Sequence, residues 1–210
     1  MTTIGILISG RGSNMQSLVA GCESGRIPGR VGLVLSNREK APGLLWARDR
    51  GLETACLSHR DHDGRESHDR AVIERLEGAG VEWVCLAGYM RLLSPHFVEV
   101  YRDRIVNIHP SLLPSFPGLH AQRQALEHGV RVTGCTVHLV DADLDHGPIV
   151  AQRAVAVFPG DSEESLSARI LEQEHRLYVE ALADLLARSW QLDGRRLVWG
   201  DPFPDRNTSC

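Results

Sequence analysis

The run Thr3-Ile-Gly-Ile-Leu-Ile-Ser9 is apolar almost without a break, and Gly10-Arg-Gly-Ser-Asn14 follows it directly before residues 15–20 take up a helical rhythm. A strand with no polar face has to be covered on both sides, the condition of a parallel sheet wrapped by helices. The unit then recurs. Val31 to Ser36 is a second apolar run, followed by a helix from Pro42 to Arg50 whose proline sits in the first turn, where its missing N–H leaves no bond unmade. Glu53 to Ser58 predicts a third strand, with an amphipathic helix over 65–78 behind it. Glu82 to Ala87 predicts a fourth, with a short helix from Pro95 to Tyr101, and Arg104-Ile-Val-Asn-Ile-His109 a fifth. Such alternation selects an α/β fold: an open, mostly parallel, doubly wound (Rossmann-like) sheet.

Beyond the fifth strand the pattern changes. Pro110 to His120 holds three prolines and a glycine, which no regular element tolerates, so it predicts a lid-like loop with Leu113–Pro114 and Phe116–Pro117 as candidate cis bonds. Gln122 to His128 is a helix stopped by Gly129. Gly134 to Val140 alternates, Asp141 to Gly147 is an acidic turn, and Pro148 to Val157 is its return, an antiparallel hairpin extending the sheet. Residues 162–189 read as a long amphipathic helix with Asp161 or Ser162 as N-cap, and Glu163 and Glu164 favour the positive end of its dipole. Trp190 to Trp199 adds one edge strand. Residues 1–200 are expected to form a single domain, and 201–210 a weakly ordered tail.

Composition narrows the function classes. A chain of 210 residues with 42% hydrophobic and 24% charged residues is that of a globular protein with a sizeable core. A formal charge of −4 with no basic block argues against a nucleic-acid partner while leaving room for a small phosphate site. No segment has the length or apolarity of a signal peptide or membrane span. The five cysteines are scattered without a C-x-x-C pair, which excludes a zinc ribbon and suits a reducing, cytoplasmic compartment. The loop His59-Arg-Asp-His-Asp-Gly64 carries metal-ligand types at no clean ligand spacing and is read as solvated, so no metal is expected.

Chemistry concentrates at the strand ends. Gly12, Ser13 and Asn14 open the first helix, and free N–H groups there form a phosphate site, with Ser13 and Asn14 as N-cap types. Gly88 allows close backbone approach after the fourth strand, where Met90 and Leu92 or Leu93 line an apolar pocket. Asn107 and His109, two residues apart, leave an extended backbone on the same face, and Pro110 ends the ladder beside them. If the late hairpin turn folds over that strand end, Asp145 meets His109. A carboxylate on an imidazole N–H fixes its tautomer and favours its charged form, and an amide donor beside it stabilises an oxyanion. Ser111 lacks the sharp strand–turn–helix setting of a nucleophile. The trio therefore suits direct attack of an amine or water on a carbonyl, with no acyl-enzyme.

Four runs in this order, Ser9-Gly-Arg-Gly-Ser-Asn14, Leu86-Ala-Gly-Tyr-Met-Arg91, Asn107-Ile-His-Pro-Ser-Leu-Leu-Pro114 and Leu144-Asp-His-Gly-Pro148, carry a family resemblance. Over about residues 3–185 the chain resembles the phosphoribosylglycinamide formyltransferases, the folate-dependent glycinamide ribonucleotide transformylases of purine synthesis. The resemblance implies the formyltransferase fold, with 10-formyltetrahydrofolate as co-substrate and glycinamide ribonucleotide as acceptor. A homodimer is compatible with it. It also implies that Gly12, Ser13 and Asn14 hold the ribonucleotide phosphate and that Glu174 contacts its amine. Arg65, Met90, Arg91, Leu92, Leu93 and Asn107 line the folate site with Val140, Asp141, Leu144 and Asp145. Asn107, His109 and Asp145 are the implied transfer residues. Arg11 either adds charge at the phosphate or points to solvent, and Gln122 stands where some relatives have a histidine. Three rivals differ in sequence. Methionyl-tRNA formyltransferase would need an added basic domain, and formyltetrahydrofolate deformylase would need a regulatory domain before a strand that here begins at residue 3. A non-catalytic nucleotide-binding module has no use for the trio.

Overall fold

Alternate residues of the first strand go to opposite faces, and both faces are buried: Ile4, Ile6 and Ile8 join one apolar cluster and Leu7 another. The computed structural model describes residues 1–200. Its first five strands, β1 (Thr2–Ile8), β2 (Gly29–Ser36), β3 (Thr54–Cys56), β4 (Trp83–Leu86) and β5 (Ile105–His109), pair in parallel. β6 (Val132–Leu139) and β7 (Ile149–Ala156) follow as an antiparallel hairpin on β5. The residues after the long helix form two short antiparallel strands, β8 (Trp190–Asp193) and β9 (Arg196–Trp199), where the sequence predicts one. The left-handed Gly194 supplies the turn between them. The sheet order is β3-β2-β1-β4-β5-β6-β7-β9-β8. The predicted tail at 201–210 lies outside the described residues.

Helices cover both faces of the sheet. α1 (Ser13–Glu23), α2 (Pro42–Asp49) and the long α6 (Glu163–Ala187) contribute Leu18, Leu44 and Leu177 to the cluster on one face. α3 (Arg65–Gly78) and α4 (Pro95–Val100) send Val72, Leu76 and Phe97 to the other. α5 (Ala121–Glu127) lies between the proline-rich loop and β6. Ser162, one of the two expected caps of α6, forms a reciprocal capping box with Ser165, and Asp161 instead pairs with Arg169.

The chain leaves β1 for β2 on one side and returns to β4 on the other. The crevice outside the carboxyl ends of β1 and β4 is thus the switch point where such sheets bind ligands. Ser9, just past β1, fastens its rim: its Oγ donates to Asn37 Oδ1 at 2.6 Å and accepts from the N–H of Met90 at 2.8 Å.

Candidate active site

β5 ends beside this crevice. Ile105 faces the α3–α4 cluster, so pleat parity puts Asn107 and His109 on that same side at the strand's open end. The 141–147 turn folds over them. Asp145 Oδ2 lies 3.3 Å from His109 Nδ1, with both side chains less than a tenth exposed, and also accepts the backbone N–H of Gly118 at 2.7 Å. His109 Nε2 donates to the carbonyl of Phe116 at 2.9 Å. Each ring nitrogen therefore has an acceptor, the pattern that an imidazolium satisfies in full.

Asn107 is oriented from β6. Its Cα partner there is His138, whose Nε2 is 3.1 Å from Asn107 Nδ2. His138 Nδ1 donates to the carbonyl of Leu139 at 2.8 Å, and burial lowers the pKa of the ring. A neutral His138 with its proton on Nδ1 has only a lone pair to offer on Nε2, so it accepts an amide hydrogen and sets which way the Asn107 amide points. No local sequence pattern singles out His138. Its role follows from the β5–β6 register, in which paired residues share a face.

A second cleft opens beside the first helix. Gly12, left-handed at φ 72°, is the N-cap of α1 and provides no side-chain cap. This corrects the expectation that Ser13 or Asn14 caps the helix: Ser13 is its first residue and Asn14 is buried in its first turn. The early N–H groups of α1 consequently keep no intrahelical or side-chain partner among the described residues, as an anion site requires. Asn14 Nδ2 donates to Glu174 Oε2 at 2.8 Å, while Asn14 Oδ1 is buried without a partner. Burial raises the Glu174 carboxyl above its ordinary pKa, and the Asn14 bond offsets only part of that. Glu174 lines a cleft of about 540 Å³ with Arg11, Gln122 and Glu164, so Arg11 faces this cleft.

A family model described as formyl transferase matches residues 2–182. Phosphoribosylglycinamide formyltransferase of Escherichia coli (strain K12) is 46% identical over 190 residues, 90% of this chain and 87% of that protein. The chain belongs to the phosphoribosylglycinamide formyltransferase family. The crystal structure of glycinamide ribonucleotide transformylase 1 from Symbiobacterium toebii superposes on this formyltransferase with a TM-score of 0.94 at 51% identity, covering 96% of this chain and 95% of that one. The trifunctional purine biosynthetic protein adenosine-3 of Drosophila pseudoobscura pseudoobscura is 46% identical over 86% of this chain, which spans 13% of that larger protein.

The remaining candidate positions of the formyltransferase divide. Met90 and Leu92 expose their side chains, as a pocket rim would, whereas Leu93 is buried in the cluster with Phe97 and Tyr101 and has only its backbone to offer. Arg91 is half-buried, and its Nε is buried without a partner. Val140 donates its N–H to the carbonyl of Ile105, which roots the acidic turn on β5, and Leu144 is exposed above the loop at Gly118. Arg65 opens α3 and lines a separate surface groove with His62, Asp63 and Arg70, and none of the trio's polar contacts reaches it. Among the described residues no three His, Cys, Asp or Glu side chains are grouped to hold a metal, and no helix is long and apolar enough to cross a membrane.

Proposed function

We propose that this formyltransferase moves the formyl group of 10-formyltetrahydrofolate to the amine of glycinamide ribonucleotide by direct attack, with residues 1–200 acting as one domain. The observation that carries the reading is the Asp145–His109 contact beside Asn107, at the end of the strand next to the β1–β4 switch point. Gly12, Ser13 and Asn14 hold the ribonucleotide phosphate on the α1 N-terminus, and Glu174 receives the amine. The folate lies across the 88–93 rim and the 140–145 turn, with Met90, Arg91, Leu92, Val140, Asp141 and Leu144 along it and Leu93 contributing backbone. Arg65 is a contact for its outer end. The four free thiols among the described cysteines agree with a reducing, cytoplasmic setting.

The amine nitrogen attacks the formyl carbon and the carbonyl π pair moves onto oxygen. The resulting oxyanion is held by the free Asn107 amide hydrogen and by the His109 Nε2 proton, which leaves the Phe116 carbonyl to reach it. Asp145, 3.3 Å from Nδ1, fixes the orientation of the His109 ring. Collapse breaks the carbon–N10 bond, and the proton lost by the amine ends on N10. Tetrahydrofolate formation is followed spectroscopically with and without the ribonucleotide. Product only with the ribonucleotide is the expected result. Product in its absence would identify a deformylase, and none in either case a binding module.

A further inference from the structure

The turn that carries Asp145 is held in front by His109 and Gly118 and from behind by a residue far along the chain. Arg195, at the tip of the β8–β9 hairpin, directs one guanidinium nitrogen to Nε2 of His146 at 2.6 Å and another to the His146 carbonyl. A guanidinium can only donate, so that ring nitrogen accepts and the His146 proton sits on Nδ1. Nδ1 in turn donates to Asp141 Oδ2 at 2.9 Å, and Asp141 Oδ1 takes the N–H of Asp143 at 3.0 Å. Asp143 also approaches the ring, at 3.9 Å.

We propose that Arg195 is a positioning residue for Asp145, acting through His146 and Asp141. This rests on the catalytic reading of Asp145 given above. Asp145 adopts a left-handed backbone at φ 50°, uncommon for a residue other than glycine though better tolerated by Asp than by most, so contacts around the turn bear on its conformation. The base of the turn is held by backbone bonds, Leu139 N–H to the Pro148 carbonyl and Val140 N–H to the Ile105 carbonyl, each at 2.9 Å, and Gly147 passes so close to Leu139 that only glycine fits there. The crest has no such packing: Leu144 and His146 are exposed. A single exposed ion pair would hold it weakly, but a planar fork on two acceptors of one residue fixes direction as well as distance. The hairpin meets the main sheet through one residue pair, Ile149 with Arg196, and rests on Trp83 through Trp190.

The test compares Arg195→Ala, Arg195→Lys and Arg188→Ala, the last loosening the hairpin's own stacking on Trp199 without touching the turn. Misplacing a reacting group by about 1 Å can reduce the rate on the order of 10²-fold, so a partial loosening in Arg195→Ala is expected to lower kcat roughly ten-fold. KM for the ribonucleotide should be unchanged, and Arg195→Lys should recover part of the loss. Amide exchange at Gly118, whose N–H ends on Asp145, should speed up by about the same factor in Arg195→Ala. Parental kcat together with parental Gly118 protection in Arg195→Ala would overturn the proposal, as would an equal loss in Arg188→Ala. Asp145→Asn is assayed alongside. Parental turnover there removes the catalytic reading, whereas Gly118 exchange still judges the brace.

Discussion

Asn107 has two amide hydrogens, and His138 engages one of them at 3.1 Å. The other is the donor available to an oxyanion, and its direction follows from the first. Asn107→Ala should therefore lower kcat by ~10²–10³ with little change in unfolding midpoint. His138→Ala frees the amide to rotate and should lower kcat roughly ten-fold. His138 Nε2 also lies 3.8 Å from Asp145 Oδ1, so the double variant tells the two contacts apart: action through Asn107 alone makes it no slower than Asn107→Ala. Additive losses in that cycle would give His138 a separate role. Glu174 carries a different signature. Its carboxyl binds protons more tightly in the folded protein than in the unfolded chain, because burial opposes its charge. Unfolding then releases a proton at pH values between the ordinary and the raised pKa, so the stability this group contributes is full below the ordinary value and falls as pH rises through that window. Glu174→Gln keeps the acceptor for Asn14 and removes the charge. Melting followed against pH should show the variant level with the parent in acid and more stable at neutral pH, while KM for the ribonucleotide rises. A constant difference at every pH would mean that the charge is not what limits the parent.

At the scale of elements, the proline-rich loop is anchored by two side chains of the hairpin that follows it. Thr136 Oγ1 donates to the Ser111 carbonyl at 2.7 Å and accepts the Leu113 N–H at 3.0 Å, and Gln152, opposite Thr136 on β7, donates to the Leu113 carbonyl at 2.8 Å. Thr136→Val is close to isosteric and leaves two loop groups without partners where water does not reach, a cost of about 1–3 kcal/mol for each unpaired group. The variant should lose stability of that order and be cut faster by protease within 110–120. An unchanged cleavage pattern would show the loop to be held elsewhere. These contacts also mark what the sequence could and could not disclose. The β1–turn–α1 unit, α3 and the Asn107/His109 pairing follow from periodicity, because each is a local pattern. The Gly12 cap escaped because several adjacent residue types suit that position and only the backbone path chooses among them. His138, Thr136 and Phe116 escaped because their roles come from the register of the β5–β6 pair and from a loop path, neither of which is local. Residues 190–199 pattern as one strand, and the Asp193-Gly194 turn divides them into two.

At the scale of the molecule, the two halves of the site sit on different elements, and α6 is the piece that sets their relation. Glu174 reaches into the cleft beside α1, and Tyr178, four residues later on the same helical face, meets the main-chain carbonyls of Leu86 at 3.1 Å and Val106 at 2.9 Å. Those carbonyls belong to β4 and β5, the strands that lead into the 88–93 rim and the Asn107–His109 pair. One hydroxyl therefore ties the helix that carries Glu174 to both strands, β4 and the β5 that ends in Asn107 and His109. Burial raises the Tyr178 hydroxyl well above its ordinary pKa, so it remains a donor at any working pH. Tyr178→Phe keeps the ring and its packing and removes only the tie. Losing a buried hydrogen bond of this kind costs about 1–2 kcal/mol, which in a domain of this size lowers Tm by roughly 2–8 °C. If the tie also sets the distance between the amine and the formyl carbon, kcat should fall even well below Tm, while KM for either substrate changes little. A variant that melts earlier but turns over at the parental rate would confine Tyr178 to stability and leave the spacing of the two half-sites to the packing of Leu177 and Leu182 against the sheet.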